Sequence, residues 1–417
     1  MRKKIIAELA ECYKKEEKEI LDILKEHVKI SPYETMNSGD RIIINKFHII
    51  EEEQIVLDYY KLLLNMYCNI KFPNRSYIMT ELMNLMPILD NYHAYTIYKF
   101  DFKDFFYSIS SKKSFEYISD LVNLKTNEYI FLKKYTKENH ELIPGIGLHN
   151  SLVELNGNLF DLEMKKAFKE GFLYYARYVD DCILILDEKV AKDKIESIVL
   201  NLMKKCFGNN ITINYDKTDY FQSGDKNYKI NYLGYVFEKG QSAKQQFKFG
   251  IADKKLDKYK KQIEKIILEY NADGDLEMLS FKLELVFKRV VYYGTRKNSN
   301  KYRWQVRGIS DSYKELKRFM KNNNDYEKIT RSTKGFFCKS IEESFGRNQI
   351  PMPAKIKNQL KNKKFISCFL NNQALLLHQK LGLRHGDLKR KVKIVYKDNV
   401  ENCNYNELAE KLLKNIR

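Results

Sequence analysis

The chain has 417 residues, 44% of them hydrophobic and 13% aromatic, enough for two or three domains with sizeable cores and too apolar for extensive disorder. The net charge of +19 is uneven: residues 241–417 hold 40 Lys and Arg against 19 Asp and Glu, whereas residues 1–240 hold 34 against 36. Seven scattered cysteines with no Cys-x-x-Cys pair argue against a disulfide framework or zinc ribbon and for a reducing cytoplasm. No apolar run approaches the ~20 residues that span a bilayer, so no membrane partner is expected. The start, Met1-Arg-Lys-Lys, is soon interrupted by Glu8 and Glu11 and does not read as a signal peptide.

In chain order, Ile5, Leu9 and Cys12, then Ile20, Leu21, Leu24 and Val28, predict an amphipathic helix or helix pair ending near Pro32. Residues 53–68 predict another helix, and Phe72-Pro-Asn-Arg-Ser-Tyr77 a turn into a helix reaching about Met86. Residues 95–109 begin as a strand, and Ser111 to about Leu132 reads as helix. Leu142-Ile-Pro-Gly-Ile-Gly-Leu-His-Asn-Ser151 is a loop before a helix at 152–168, and Gly145 and Gly147 would let its backbone approach a ligand. His149 reads as a nucleic-acid contact or a bystander. Residues 190–207 predict a helix, 211–220 a strand into a turn, and 228–238 a hairpin. Beyond Gly240 helical periodicity covers 252–270, 276–292, 311–321 and 365–381. Val290-Val-Tyr-Tyr-Gly-Thr-Arg-Lys297 and Lys301-Tyr-Arg-Trp-Gln-Val-Arg307 interleave aromatics with cations, which suits base stacking and phosphate pairing. Arg296, Lys297, Arg303, Trp304 and Arg307 are the candidate contacts. A second dense basic patch spans 383–393.

The chemistry concentrates in two segments. Tyr174-Tyr-Ala-Arg-Tyr-Val-Asp-Asp-Cys-Ile-Leu-Ile-Leu186 reads as two strands joined by a tight Asp180-Asp181 turn. Ile97-Tyr-Lys-Phe-Asp-Phe-Lys-Asp-Phe-Phe-Tyr-Ser-Ile109 sets Asp101 at the end of an equally apolar run, with Phe106 five residues on. Ionised carboxylates beside buried strands repel one another and lose hydration, and a divalent cation with hard oxygen ligands is the natural compensation. A lone Asp-Asp pair would more often be a solvated turn; two such clusters in one chain point to a metal site.

At these residues the chain resembles reverse transcriptases. Asp101 to Phe106 resembles their motif A, Tyr178-Val-Asp-Asp181 motif C, Gly147 and Ser151 motif B, Lys217 the motif D lysine, and Leu233-Gly234 the motif E primer grip. One departure stands out: Gly145-Ile146 replaces the Pro-Gln pair common before the motif B glycine, so the glutamine contact to the nucleotide is not carried over. The resemblance covers roughly residues 70–240. It implies an α+β right-hand polymerase fold: N-terminal helices and fingers (1–94), an RRM-like antiparallel-sheet palm (95–240, with a fingers insertion about 112–145), a helical thumb (241–345) and a basic C-terminal extension (346–417). It further implies two Mg²⁺ ions, or Mn²⁺, held by Asp101, the Phe102 carbonyl, Asp180 and Asp181, with Lys217 acting on the leaving pyrophosphate. Arg75, Phe106, Gly147 and Ser151 would line the nucleotide pocket, Phe106 excluding a 2′-hydroxyl. RNA template, DNA product and dNTPs are the implied partners. The forms Asp-Phe-Lys-Asp-Phe-Phe and Ala-Arg-Tyr-Val-Asp-Asp look most like bacterial enzymes of anti-phage defence, which often work with a non-coding RNA, a partner protein or their own copies. Template-independent or protein-primed synthesis on the same fold, and a silent RNA-binding scaffold, are the competing readings.

Overall fold

The computed structural model describes residues 2–26, 33–39, 41–240, 246–295, 302–322, 326–396 and 400–414. The chain divides into two compact units: residues 1–78 with 88–225, and residues 79–87 with 226–417.

In the first unit the N-terminal apolar stripe forms two helices, α1 (Arg2–Tyr13) and α2 (Glu17–Lys25), and the expected stop at Pro32 lies outside the described residues. A hairpin follows, β1 (Thr35–Ser38) and β2 (Arg41–Ile44), then α3 (Glu51–Tyr67) and α4 (Arg75–Leu85), whose latter part belongs to the second unit. Next come β3 (Thr96–Lys103), the short α5 (Phe105–Ser108), α6 (Ser111–Leu121) and α7 (Thr126–Glu138), so the single helix expected from 111 to 132 is broken at 122–125. Then α8 (Gly147–Ala167) leads to β4 (Phe172–Tyr178), β5 (Asp181–Leu186), α9 (Lys192–Phe207), β6 (Thr212–Ile213) and β7 (Asp219–Gln222). The strands form one antiparallel sheet in the order β4-β5-β3, with β6 and β7 pairing along the remaining edge of β3.

Side-chain alternation sorts this sheet into two faces. Phe100 and Phe102 of β3 point toward α8 and α9, where Phe102 meets Phe160 at 5.5 Å and Phe207 at 5.3 Å between ring centroids. All four rings are fully buried, each stabilising the unit by ~1.5–3 kcal/mol. Ile97, Lys99 and Asp101 alternate onto the opposite face. This packing fixes the end of β3 that carries Asp101.

The second unit begins with the hairpin β8 (Lys229–Tyr232) and β9 (Tyr235–Glu238), extended by β10 (Lys248–Ile251). Helices α10 (Asp253–Asp273) and α11 (Leu276–Phe287) follow. Then come β11 (Arg289–Thr295), β12 (Tyr302–Arg307), α12 (Ile309–Ser312), α13 (Lys317–Lys321), α14 (Arg331–Arg347), α15 (Ala354–Lys361), α16 (Lys364–Leu370), β13 (Ala374–Leu377), α17 (His385–Tyr396) and α18 (Tyr405–Lys414). The helices expected over 276–292 and 365–381 each run only part-way and give way to β11 and β13. A parallel β11-β13 pair and the antiparallel β11-β12 hairpin make a three-stranded sheet where only helices were expected. Val290, Tyr292 and Leu377 pack one of its faces onto Leu388 and Val392 of α17 and Leu408 and Leu412 of α18.

Candidate active site

Asp101 and Asp181 are register partners on β3 and β5, so their side chains leave the same face of neighbouring strands. The turn between β4 and β5 is Val179-Asp180 rather than Asp180-Asp181, because Tyr178 pairs with Asp181 and leaves two residues to close the hairpin. Val179 has φ +60°, a costly conformation for a β-branched residue. Two hydrogen bonds hold the strained turn: Arg177 Nη1 donates to the Val179 carbonyl at 3.1 Å, and the Phe102 amide donates to the Asp180 carbonyl at 3.3 Å. A strand residue points its N–H and C=O to the same side, so the Phe102 carbonyl also faces this turn.

The three carboxylates are under electrostatic load. Asp101 is buried; its Oδ2 accepts from Lys217 Nζ at 3.0 Å, and its Oδ1 has no hydrogen-bond partner among the described residues. Burial and the charge of Asp101 raise the Asp180 pKa. Burial, then Asp180 and Asp101, push Asp181 up to about 6. Lys217, mostly exposed along its side chain, has its own pKa raised by the hydrogen bond to Asp101. Among the described residues no group of three or more His, Cys, Asp or Glu side chains is arranged to hold a metal ion as the side chains stand. The balancing positive charge comes instead from lysine and arginine. The donor set nonetheless has the chemistry of a hard-cation site: carboxylate oxygens, a carbonyl facing the same turn, and one buried acceptor left unsatisfied.

Three contributors were absent from the sequence reading. Lys99 is buried two residues before Asp101 on the same strand face and donates to the Lys217 carbonyl at 2.6 Å, while its charge opposes the rise at Asp181. Its i−2 spacing from Asp101 was the available signal. Arg41 of β2 acts on Asp180 through its charge. Arg177 is buried against Glu154 at 2.8 Å and Asp161 at 2.9 Å, both from α8. Gly157 makes room for it: a Cβ there would lie 2.2 Å from Arg177 Nη2. The arginine thus ties α8 to the Val179-Asp180 turn.

The remaining expected site residues divide. Phe106 is half-buried, while Phe105 is the core residue, stacked on Phe102 at 4.9 Å. Arg75 opens α4 in a half-buried position. Helix α8 starts at Gly147, five residues earlier than expected, which carries Ser151 into the helix interior. There Ser151 is fully buried and donates to Asn65 Oδ1 at 2.8 Å, so its hydroxyl is not a nucleotide ligand. A Cβ on Gly145 would press on the Ile44 backbone at 3.0 Å, and one on Gly147 would meet Lys61 Cδ at 2.7 Å. His149 is buried, its Nδ1 on the Ile143 carbonyl at 2.8 Å and its Nε2 on the Tyr135 hydroxyl at 2.9 Å, and burial lowers its pKa to about 4. It is a structural clasp on the loop, not a nucleic-acid contact.

In the second unit Leu233 and Gly234 form the two-residue turn of the β8-β9 hairpin, both with positive φ. Arg307, half-buried, lies with its guanidinium 5.1 Å from the Tyr292 ring, on the sheet face covered by α17 and α18. Trp304 stands on the opposite face and Arg303 pairs with Gly294 in the ladder; Arg296 and Lys297 lie outside the described residues.

Among the described residues no helix is long and apolar enough to cross a membrane. No protein-family model and no curated protein matches the chain. Among solved structures it is similar to apo telomerase from Candida tropicalis lacking the C-terminal domain, at 15% identity and TM-score 0.37, over 50% of this chain and 54% of that one. It is similar also to telomerase from Candida albicans in complex with a fragment of telomeric RNA, at 11% identity and TM-score 0.39, over 94% of this chain and 65% of that one. The chain thus spans between about half and two thirds of the length of these two telomerase structures, and a likeness this distant assigns no family.

Proposed function

We propose that the chain is a nucleic-acid polymerase of the reverse-transcriptase kind, joining deoxynucleotides to a primer end at Asp101, Asp180 and Asp181. The observation that carries this reading is the convergence of three loaded carboxylates on one end of a sheet, with a buried Asp101 oxygen left unsatisfied. Burying like charges is destabilising, and a protein with no use for them would lose them. Asp101, Asp180, Asp181 and the Phe102 carbonyl would hold Mg²⁺ or Mn²⁺, whose chemistry is Lewis-acid stabilisation of phosphoryl charge and a lowered pKa for the attacking hydroxyl.

The chain's own residues do the rest. Arg177 and the Phe102 amide keep Asp180 oriented through the strained turn. Lys217, tethered by its carbonyl to Lys99, would leave Asp101 to donate a hydrogen bond or a proton to the departing pyrophosphate. Arg41 and Arg75 are the cations proposed for the incoming triphosphate, and Phe106 the ring beneath its sugar. The motif forms extend the proposal to RNA-templated synthesis in the cytoplasm of the anti-phage defence kind, with a dedicated RNA, a partner protein or a second copy as companions.

The test is primer extension by the intact chain on an RNA template with dNTPs and Mg²⁺. Asp101→Ala and Asp180→Ala should each lower incorporation at least about a thousandfold with unchanged circular dichroism. A folded double variant that keeps more than about a tenth of the wild-type rate would overturn the assignment.

A further inference from the structure

Strands β6 and β7 share one edge of β3: β6 pairs with Phe102 and Lys103, and β7 with the stretch from Thr96 to Lys99. The turn between them, residues 214–218, therefore passes the end of β3 that carries Asp101. It is pinned to that strand at two points. The Asn214 amide donates to the Asp101 carbonyl at 2.8 Å, and the Lys99 ammonium donates to the Lys217 carbonyl at 2.6 Å. From the pinned turn the Lys217 side chain, 57% exposed, reaches back to the buried Asp101 and donates to its Oδ2 at 3.0 Å. Lys99 is the anomaly in this arrangement. It is 6% exposed, yet among the described residues no carboxylate lies within ion-pair distance of it. Its register partner on β7, Asp219, shares the sheet face without pairing. An apolar side chain of similar length would fill this space without the cost of a buried, unpaired ammonium. It could not hold the Lys217 carbonyl.

We propose that Lys99 is a positioning residue that acts through Lys217: it fixes the 214–218 turn so that the Lys217 ammonium neutralises Asp101 and competes with divalent cation for that carboxylate. This deepens the polymerase reading and rests on it for the kinetic half of the test alone. The buried lysine sets where the exposed one can reach. Without the bond to its carbonyl, Lys217 keeps its charge but loses its fixed place beside Asp101, and a long side chain left free seldom holds one geometry. A buried charge with no ion pair is tolerated where the site needs it, and here the need is to anchor the turn.

Lysine labelling reads this without catalysis. The intact chain in EDTA is acetylated briefly with an N-hydroxysuccinimide ester at constant pH, and modification of Lys217 is quantified by peptide mass spectrometry. An amine held protonated by Asp101 reacts slowly, so Lys99→Met and Asp101→Asn should each label Lys217 about threefold faster or more. Excess Mg²⁺ should raise Lys217 labelling in wild type and change it less than about twofold in Lys99→Met. Should Lys99→Met fold poorly by circular dichroism, Lys99→Gln, which keeps a shorter N–H donor, should label at an intermediate rate. The kinetic half is primer extension. Lys99→Met and Lys217→Ala should each lower kcat about tenfold or more with the dNTP KM within about twofold, and the double variant should match Lys217→Ala. Unchanged Lys217 labelling in the folded Lys99 variant overturns the proposal. So do losses that multiply in the double variant, which would mean that Lys99 acts on the carboxylates directly. No incorporation by wild type, with labelling as expected, would remove the polymerase reading and leave the positioning role standing.

Discussion

The sheet built on β3 and the sheet built on β11 are assembled alike and loaded differently. Each lays one face on a pair of helices, α8 and α9 in the first unit, α17 and α18 in the second. On its opposite face the first gathers the buried charges of Lys99 and Asp101 beside the half-buried Asp181; the second presents Trp304 and Val306, apolar surface held in water. Folding alone favours neither, since buried charge must be compensated and exposed rings forgo burial worth ~1.5–3 kcal/mol each. The two faces break local rules in opposite directions, one by burying charge and the other by exposing rings.

The contrast is sharpest where charge is most buried. Arg177→Met leaves Glu154 and Asp161 uncompensated and should lower unfolding stability by ~3–5 kcal/mol, whereas Trp304→Ala should stay within about 0.5 kcal/mol of wild type. Gly157→Ala should approach the arginine variant, because its methyl group would occupy the guanidinium's place. Urea unfolding of the three variants settles it. A cost below about 1 kcal/mol for Arg177→Met would mean that the buried network does not govern this sheet.

A second pair of variants separates chemistry from packing within the first unit. Phe106→Val should raise rNTP relative to dNTP incorporation ten- to a hundredfold, ~1.4–2.8 kcal/mol of differential transition-state binding, with little loss of stability. Phe105→Val should do the reverse, costing ~1–3 kcal/mol of stability while leaving sugar preference alone, because Phe105 is the ring inside the aromatic cluster. If Phe105 moves the ratio and Phe106 does not, the sugar-facing assignment belongs to the wrong ring.

Much of the first unit was legible in the sequence because its chemistry needs adjacent residues. The Asp180-Asp181 pair between apolar runs announced a hairpin, placed one residue late because Asp181 pairs with Tyr178, and Asp101 announced the neighbouring strand. Arg41 and Arg177 were not legible. Arg41 reaches Asp180 only through folding, and Arg177 reads as an ordinary strand residue until Gly157 is seen to open space for it. Helix α8 was placed too late because Gly147 and Ser151 have the composition of a loop, yet Ile146 in extended geometry starts the helix and buried neighbours carry it. In the second unit β11 and β13 were hidden inside helical periodicity. Ala374-Leu-Leu-Leu377 favours helix by propensity, and only pairing with the β-branched and aromatic run of β11 makes it a strand.

Acid should expose the buried clasp at His149. Its folded pKa, about 4, lies below the ~6.5 of an unfolded histidine, so the neutral ring's contribution is complete above ~6.5 and is lost as pH falls toward 4. Between about pH 7.5 and about pH 5 this amounts to ~2 kcal/mol. Urea titrations of wild type and His149→Gln at the two pH values isolate it, because the variant lacks that part of the pH dependence. Equal pH dependence in both would place the histidine in solvent rather than between Ile143 and Tyr135.

The smallest effect has the opposite sign and tests the first face most directly. Asp181 has a folded pKa raised to about 6 by burial and by Asp180 and Asp101. A carboxyl so raised stabilises the native state when protonated: the contribution is full below the unfolded value of ~3.9 and is lost as pH rises through about 6. At about pH 7.5, without divalent cation, the native state therefore carries the cost of an ionised Asp181. Asp181→Asn removes the charge at constant shape and should raise stability by ~1 kcal/mol, less than full relief because the new amide needs its own partners. Mg²⁺ should reverse the ranking, stabilising wild type through its carboxylates and the variant much less, by the linkage of ligand binding to folding. Thermal melts of both proteins with EDTA and with excess Mg²⁺ read both halves. If Asp181→Asn is the less stable protein in EDTA, this end of the sheet is a satisfied hydrogen-bonded cluster and not a site awaiting positive charge.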